Sequence, residues 1–336
     1  MPKQVAPTSS HAMIYTYPKT AARDFYFFRW WGPGLGNILF PWARSVVAAR
    51  LLGARPIFPC WPQIRLRALA RLRWSRDPRT YAGLFSNPGT YADGFEKLNA
   101  VLRLPRLPES SLSKNQLPGG AIFVFEGMEG LFEPILGQHA LVRDELISIT
   151  RPEHLRGIVA NRDDSIAVHV RLGDFAVPES GESEIRSGAP NLRIPLAWYR
   201  NAIAACRRSL GYEVSVKVFS DGSDEELRPL LEMPGVRRVS FGPSIADLLA
   251  LSAAPLFIAS GSTFSMWASY LGRMPVIWYP GQLKCRLYYD QPQAEIELES
   301  GDDLPESFVE CLRLPRSHAI KRSLLAPDRL GLALTE

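Results

Sequence analysis

The second half of the chain alternates between short apolar runs and longer amphipathic runs. The apolar runs have the length of strands, and they are SIAVHVR, VSVKVFS, VRRVSF, PLFIAS and PVIWY. The amphipathic runs have helical spacing, and they are LAWYRNAIAACRRSL, SDEELRPLL, SIADLLALSA and STFSMWASYLG. Strands that alternate with helices of about ten residues indicate βαβ units and a parallel sheet. We therefore predict an α/β, doubly wound, Rossmann-like domain over residues 151–300.

The first half contains the same kinds of segment in a less regular order. An apolar strand over residues 25–30 leads into WGPGLGN, and the helix ILFPWARSVVAARLLG follows. Pro41 lies near the predicted first turn of this helix, and Gly53 is its predicted end. AIFVFEG, which begins at Ala121, is a further strand. We predict a second α/β domain over residues 1–150 and a C-terminal tail over residues 301–336.

The composition is that of a two-domain protein without a membrane-spanning helix. The chain has 336 residues, of which 46% are hydrophobic. No apolar run approaches the roughly 20 residues of a membrane helix, and the N-terminus lacks a basic-then-apolar secretory pattern. The 4 cysteines and 5 histidines are scattered, without the spacing of a disulfide framework or a metal site. We expect a reduced, cytoplasmic protein that holds no metal.

Positive charge is concentrated in residues 25–76, which contain nine arginines and no acidic residue. Within this segment, WPQIRLRALARLRW predicts an amphipathic helix that starts at Trp61 and carries Arg67 and Arg71 beside its apolar side. Two interpretations stay open: the arginines pair with acids elsewhere in the chain, or the helix contacts an anionic membrane. No nucleic-acid-binding motif accompanies the arginines, so we expect no nucleic-acid partner.

The segment AVHVRLGDF places His169 and Arg171 on the same side of a predicted strand. Arg171 ends this strand, and the turn Leu172-Gly173-Asp174 follows it. Ligands bind at the carboxyl ends of parallel strands, where an arginine can hold a phosphate with two hydrogen bonds. The alternative interpretation is a structural ion pair between Arg171 and Asp174.

The segment PLFIASGSTFSMW predicts a strand, a turn and the start of a helix. Ser262 or Thr263 would cap this helix, whose free N–H groups and dipole favour an anion. Ordinary capping without a ligand is the alternative for the same two residues.

Four segments together resemble glycosyltransferase family 11, mostly α-1,2-fucosyltransferases, which are more distantly related to α-1,6- and protein O-fucosyltransferases. HVRLGDF resembles the family's H-x-R-x-G-D segment, and WGPGLGNILFPWA resembles its N-terminal G-G-L-G-N segment. VKVFSDGSDEE resembles its F-S-D segment, and SIADLLALSAAPLFIASGSTFSMWASYLG resembles its long final block. The four blocks follow the family's order and span about residues 25–279.

Three positions depart from the family's pattern. Leu172 stands where the family usually has a second arginine, and Gly222 stands at the second acid of F-S-D-D. Met266 replaces the first residue of a tryptophan pair. The phosphate-binding Arg171 is retained, whereas the walls that could sense the sugar differ.

The resemblance implies a GT-B fold with two Rossmann-like domains. It also implies an inverting, metal-independent transfer of fucose from GDP-fucose to a glycan acceptor, with an α-1,2 linkage as the usual product. The sequence contains no D-x-D motif of the kind that holds the cation in metal-dependent transferases. The candidate donor contacts are His169, Arg171, Asp247, Ser262, Thr263, Gly34, Gly36, Asn37, Ser220 and Asp221. Asp247 would accept from guanine, although Ser244-x-x-Asp247 also fits a capping box.

The loop after Arg171 supplies the acidic candidates for a catalytic base. Glu179 has a spacing from the motif similar to that of the catalytic glutamate of the α-1,6 relatives. Asp174, Glu182 and Glu184 are further acids of the loop. Each could instead belong to a solvated acidic loop, and Asp174 could brace the turn or Arg171.

Other functions remain as alternatives. One is a transferase that uses another GDP-sugar, and another is a non-catalytic sugar-nucleotide-binding or glycan-binding protein of the same fold. GPGLGN also suggests a dinucleotide site, but that fingerprint needs an acid about 20 residues further on. The acid-free segment through Arg76 excludes it. The arginine excess leads to one further hypothesis, a lipid-linked glycan acceptor at the inner face of the membrane.

Overall fold

The computed structural model describes residues 13–64, 80–113, 119–160 and 164–313, which divide into two compact units. The first unit runs to Gln138, and the second begins at His139. The division lies one helix before the boundary predicted at residue 150, because the helix His139–Ile149 packs against the helix Thr263–Gly272 of the second unit.

The first unit is built on a parallel sheet with strand order β4-β1-β7-β6 and carries a small second sheet with order β2-β3-β5. Its elements in chain order are β1 Tyr15–Lys19, β2 Arg23–Asp24, β3 Arg29–Trp30, α1 Leu35–Leu52, β4 Arg55–Pro56, β5 Gln63–Ile64, α2 Gly94–Arg103, β6 Arg106–Pro108 and β7 Ile122–Glu126.

The strand predicted over residues 25–30 is present only at its end, where Arg29–Trp30 form β3. Residues 25–28 join β2 to β3 as the tip of an antiparallel hairpin, and Tyr26 there has a positive φ of 68° that breaks an extended strand. Phe25, Phe27 and Phe28 are about half exposed. One of the two inner strands of the main sheet is β1, whose sequence YTYPK lacks the apolar run of a typical buried strand.

Helix α1 ends at Leu52, and Gly53, the predicted end, follows it in the left-handed conformation that favours glycine. Its start differs from the prediction, because the helix begins at Leu35 and therefore contains Gly36 and Asn37 in its first turn. Pro41 consequently lies inside the helix rather than in the first turn.

The arginine-rich segment is partly described. Trp61 is buried 4.1 Å from the ring of Phe85, and residues 63–64 form β5, so a helix that starts at Trp61 is wrong. Arg67 and Arg71, with the rest of the predicted amphipathic helix, lie outside the described residues.

Two described arginines of this segment have acidic partners, as the pairing interpretation expects. Arg44 binds Glu109 at 3.0 Å, and Arg55 binds Glu96 at 3.2 Å. Arg29 is fully buried and donates instead to the carbonyl groups of Thr20 and Trp61.

The second unit is a six-stranded parallel sheet with order β10-β9-β8-β11-β12-β13 and helices between its strands. Its elements are α3 His139–Ile149, α4 Arg156–Ala160, β8 Ile166–Val170, α5 Glu182–Arg186, α6 Leu196–Leu210, β9 Val216–Ser220, α7 Asp224–Leu231, β10 Val236–Arg238, α8 Ser244–Ser252, β11 Leu256–Ile258, α9 Thr263–Gly272, β12 Val276–Trp278, β13 Glu295–Glu297 and α10 Glu306–Arg313.

Counted from β8, this order is 3-2-1-4-5-6, the arrangement of a Rossmann fold. The predicted fold class is confirmed: both units are α/β with parallel sheets, and the second is doubly wound. Every residue of β8 is buried, as expected for a strand covered by helices on both faces.

Helix α10 contributes to the core of the second unit. Phe308 and Val309 lie in the same buried cluster as Ile166 and Val168 of β8. Residues 306–313 are therefore part of this unit, although the sequence placed them in a tail. No helix in the described ranges is both long enough and apolar enough to cross a membrane.

Candidate functional site

The candidate site lies where the strand order of the second unit reverses. Strands β9 and β10, which follow β8 in the chain, lie on one side of β8 in the sheet. Strands β11, β12 and β13 lie on its other side, so the direction of strand addition reverses between β10 and β11. Ligands of open α/β sheets bind at the carboxyl ends of the strands at such a switch point. Here those ends carry the turn that follows Arg171 and the turn Ser260–Thr263, so the sheet brings the two predicted anion-binding segments together.

Arg171 is held by two carboxylates. Its Nη2 atom lies 2.5 Å from Asp174, its Nη1 atom lies 2.7 Å from Asp221, and its guanidinium lies over the ring of Phe175. The side chain is still 20% exposed. The structural pair with Asp174 is therefore present, and Asp221 is a second partner that sequence spacing alone did not indicate.

Asp221 is fixed from both sides of its carboxylate. Its Oδ1 atom accepts from the N–H of Leu172 at 2.9 Å, while Oδ2 binds Arg171. A Cβ on Gly173 would lie only 2.2 Å from Oδ2, so this position needs a glycine for the carboxylate to reach the turn. The glycine of the H-x-R-x-G-D segment thus makes room for the acid of the F-S-D segment.

Two of the departures from the family's pattern are neighbours. A Cβ on Gly222 would lie 2.5 Å from Cδ1 of Leu172, and Leu172 is buried. The leucine and the glycine are therefore complementary in size, and the two exchanges form a single local change in packing.

His169 is buried beside a cluster of serines on the β11–α9 turn. Its Nδ1 atom lies 2.8 Å from Oγ of Ser265 and 3.0 Å from Oγ of Ser260. Burial, reinforced by the nearby charge of Arg171 and opposed by Asp221, lowers the pKa of His169 to about 3. The imidazole is therefore neutral at physiological pH.

Ser262 is the N-cap of α9, as predicted, and its side chain accepts from the N–H of Ser265 at 3.2 Å. Thr263 is the first residue of the helix. A Cβ on Gly261 would lie 2.1 Å from Oε1 of Gln282, whose amide also donates to the carbonyl group of Ile185. Gln282 thereby ties this turn to α5, a role that its sequence context did not indicate.

Asp247 lies in the first turn of α8 and braces the preceding loop. It accepts from the N–H of Phe241 at 2.6 Å and from the hydroxyl of Ser240 at 3.1 Å. The capping box is wrong, because Pro243 is the N-cap and Ser244 is already helical. Ser240 and Gly242 of this loop line a cleft of about 680 Å³. The other residues that line the cleft are Asp224, Arg238, Val239 and Pro243.

Ser220 ends β9 next to this cleft. Its hydroxyl accepts from the N–H of Gly222 at 3.0 Å, and its carbonyl group accepts from Arg238 at 3.0 Å. Ser220 thus shapes the turn that presents Asp221.

The acidic candidates lie on the segment that contains α5. Glu179 is exposed, and its N–H donates to Glu184 at 2.9 Å, so Glu184 serves as a local brace. Glu182 pairs with Arg186 at 3.7 Å. No contact among the described residues brings Glu179 to Arg171.

Gly34, Gly36 and Asn37 belong to the first unit. Gly34 is the N-cap of α1 without a side-chain cap, and its carbonyl group accepts from the N–H of Asn37 at 3.0 Å. The predicted donor contacts Gly34, Gly36 and Asn37 therefore all lie at the N-terminal end of α1, where the helix dipole favours an anion. Across the described ranges, no group of three or more His, Cys, Asp or Glu residues could hold a metal ion.

The chain has low similarity to known proteins. No protein-family model matches it, and no curated protein does so. Similar solved structures include the fucosyltransferase NodZ from Bradyrhizobium, with 13% identity, 80% of this chain and 94% of that chain covered, and a TM-score of 0.46. A mutant of Arabidopsis thaliana FUT1 in complex with GDP has 13% identity and a TM-score of 0.44, with 81% of this chain and 72% of that chain covered. POFUT1 in complex with GDP has 12% identity and a TM-score of 0.41, with 80% of this chain and 98% of that chain covered. At these values the likenesses define neither the family nor the function of this chain.

The contact between Gly173 and Asp221 generates a test of the site. Gly173→Ala should destabilise the protein by about 1–3 kcal/mol, because the added methyl group collides with a carboxylate fixed by Arg171 and Leu172. Urea denaturation measures the change. Gly173→Ala should cost less stability when it is introduced into the Asp221→Ala variant than when it is introduced into wild type, because the carboxylate is then absent. An equal cost in the two backgrounds would contradict the proposed contact.

Proposed function

We propose that the chain is a glycosyltransferase that moves fucose from GDP-fucose to a hydroxyl of a glycan acceptor, with inversion and without a metal. The proposal rests on the hydrogen bonds of His169 to Ser260 and Ser265, which join the segment of Arg171 to the N-terminal turn of α9 at the switch point of the second unit. The resemblance of four ordered segments to fucosyltransferases of family 11 supplies the donor class. An α-1,2 linkage is the finer part of the same proposal.

Arg171 is the group that binds the donor diphosphate and stabilises the charge that develops when the glycosidic bond breaks. Its two carboxylate partners differ in how firmly they are held. Asp221 is also bound by the N–H of Leu172, whereas Asp174 has a side chain that is 55% exposed. We infer that the diphosphate replaces Asp174 at one edge of the guanidinium while Asp221 keeps the other edge oriented.

Further donor contacts follow from the same geometry. The first turn of α9, capped by Ser262 and started by Thr263, provides N–H groups for phosphate oxygens. Gly34, Gly36 and Asn37 at the start of α1, in the first unit, are retained as proposed donor contacts on the sequence resemblance alone.

The guanine base belongs in the cleft beside Ser220, where Asp247 holds the loop of residues 240–242. A carboxylate is the one side chain that accepts from the N1–H and the 2-amino group of guanine together. In the structure the carboxylate of Asp247 is engaged with Ser240 and Phe241. Asp247 can therefore contribute to guanine binding in two ways. Its carboxylate exchanges the bonds to Ser240 and Phe241 for bonds to the base, or it positions the loop of residues 240–242 that contacts the base.

Glu179 is proposed as the base that accepts the proton of the acceptor hydroxyl. Its exposed carboxylate is accessible to an acceptor, and Glu184 holds its backbone. Asp174 has the different role of partner to Arg171. A lipid-linked acceptor at the inner face of the membrane, with peripheral contact through the arginine-rich segment of a cytoplasmic enzyme, remains a hypothesis.

One observation favours a second candidate function. Arg171 already has two carboxylate partners, which is also what a non-catalytic protein that kept the fold would show. Slow hydrolysis of GDP-fucose without acceptor discriminates the two functions, because an enzyme turns the donor over and a binding protein does not.

Arg171→Ala should lower transfer by at least about 100-fold while the protein remains folded, the loss expected for one strong charge-stabilising donor. Arg171→Lys should recover little, because a point charge does not replace the two-pronged guanidinium. GDP release, measured with excess chelator present throughout, gives the rates. Arg208→Ala is the matched control, since Arg208 forms an ion pair with Asp303 elsewhere in the unit. Near-normal transfer by folded Arg171→Ala, or a requirement for a divalent cation, would overturn the mechanism.

GDP should stabilise the protein more than UDP or ADP does in a thermal-shift series. A nucleotide at about 100 times its dissociation constant adds about 2.7 kcal/mol to the free energy of unfolding. Asp247→Ala should abolish the preference for GDP, whereas Asp303→Ala should leave it unchanged. Equal stabilisation by the three diphosphates in wild type would exclude a guanine-reading site.

A further inference from the structure

The side chains of Ser260, Ser262 and Ser265 form a continuous hydrogen-bonded cluster that ends at the imidazole of His169. The Oγ atom of Ser260 lies 2.9 Å from that of Ser262 and 3.0 Å from that of Ser265. All four residues are buried. Because buried polar groups need partners, the direction of each hydroxyl proton in this cluster is constrained.

Two backbone bonds set the constraint. The N–H of Ser260 donates to Oγ of Ser265 at 3.1 Å, and the N–H of Ser265 donates to Oγ of Ser262 at 3.2 Å. Each of these two hydroxyl oxygens has therefore used one of its two lone pairs.

In one direction, the hydroxyl of Ser262 donates to Ser260 and the hydroxyl of Ser260 donates to Ser265. Both lone pairs of the Ser265 oxygen are then occupied, and its own proton must go to Nδ1 of His169 at 2.8 Å. All three hydroxyl protons have an acceptor inside the cluster.

In the opposite direction, Nδ1–H of His169 donates to the hydroxyl of Ser265. The hydroxyl of Ser265 then donates to Ser260, and that of Ser260 donates to Ser262. The hydroxyl proton of Ser262 then has no acceptor among the described residues, although this side chain is buried. Because a buried hydroxyl without an acceptor is destabilising, the first direction is favoured.

We infer that Ser260, Ser262 and Ser265 hold His169 as the neutral tautomer with its proton on Nε2, and that this N–H donates to the donor diphosphate beside Arg171. A neutral imidazole has one N–H, so acceptance at Nδ1 fixes the proton on the opposite edge of the ring. The second half of the inference rests on the proposed function, whereas the tautomer does not. Ser260 and Ser265 are positioning residues, because they act through His169.

Two serines contact Nδ1, so each single loss should be mild. In Ser265→Ala the hydroxyl of Ser260, 3.0 Å from Nδ1, takes over the donation, and in Ser260→Ala that of Ser265 remains. Only the double variant leaves Nδ1 without a serine. We expect GDP affinity within about threefold of wild type for each single variant and a loss of about tenfold for the double variant.

The tautomer is measured directly by long-range ¹H–¹⁵N NMR of ¹⁵N-histidine-labelled protein at pH 7, with the His169 signal identified by its absence from His169→Asn. Wild type should show the Nε2–H tautomer, and Ser260→Ala with Ser265→Ala should show a mixture of tautomers. Ser269→Ala is the matched control, because Ser269 is a buried serine of the same helix that bonds instead to Tyr288 at 2.7 Å. It should leave the His169 signals unchanged.

The outcomes separate the inference from the proposed function. The Nδ1–H tautomer in wild type overturns the serine assignment whether or not GDP binds, and this reading does not depend on the folding of any serine variant. If wild type has the Nε2–H tautomer and GDP shifts the Nε2 signal, the donor role is supported. If GDP binds without changing that signal, and the double variant binds GDP as wild type does, the donor role is overturned. An Nε2–H tautomer in a protein that binds no GDP supports the serine assignment and contradicts the proposed function.

Discussion

The reversal of strand order beside β8 is the constraint on which the candidate site depends. Because β8 has β9 on one side and β11 on the other, the turns that follow β8 and β11 meet at the carboxyl edge of the sheet. Arg171 comes from the first turn and Ser262 from the second, although they are far apart in the sequence. Hydrogen bonds between His169 and the serines of the β11–α9 turn join the two segments directly.

Arg171 at this edge of the sheet forms ion pairs with two acids, of which one is more firmly anchored than the other. A mostly buried guanidinium without partners would be costly, so the ion pairs with Asp174 and Asp221 stabilise the site when no anion is bound. Asp221 is anchored by a backbone N–H and is packed against Gly173, whereas Asp174 is largely exposed. This asymmetry gives an anion one edge of the guanidinium at which it can compete without disturbing the other.

Most strands of the second unit were predicted from the sequence, because a strand that is covered by helices on both faces consists of a continuous run of apolar residues. Strand β13, with the sequence EIE, carries no such run and was missed, as was the inclusion of α10 in the core. In the first unit, β1 is polar in part, and the aromatic residues 25–28 form a largely exposed hairpin tip rather than a buried strand. Apolar composition alone does not distinguish these two situations.

For the site, motif spacing located Arg171, Asp221 and the cap Ser262, since each lies at the end of a predicted strand or the start of a predicted helix. It did not locate the contacts of Ser260, Ser265 and Gln282, because these depend on which strands are neighbours. The serine run ASGSTFS was the available signal, and its meaning required the pairing of β8 with β11.

A crystal structure of the complex with GDP decides whether the switch point of the second unit binds a nucleoside diphosphate. A phosphate oxygen should lie within hydrogen-bond distance of the Arg171 guanidinium, with Asp174 released and Asp221 retained. GDP bound elsewhere, with Arg171 still paired to both acids, would show that the switch point is not the donor site.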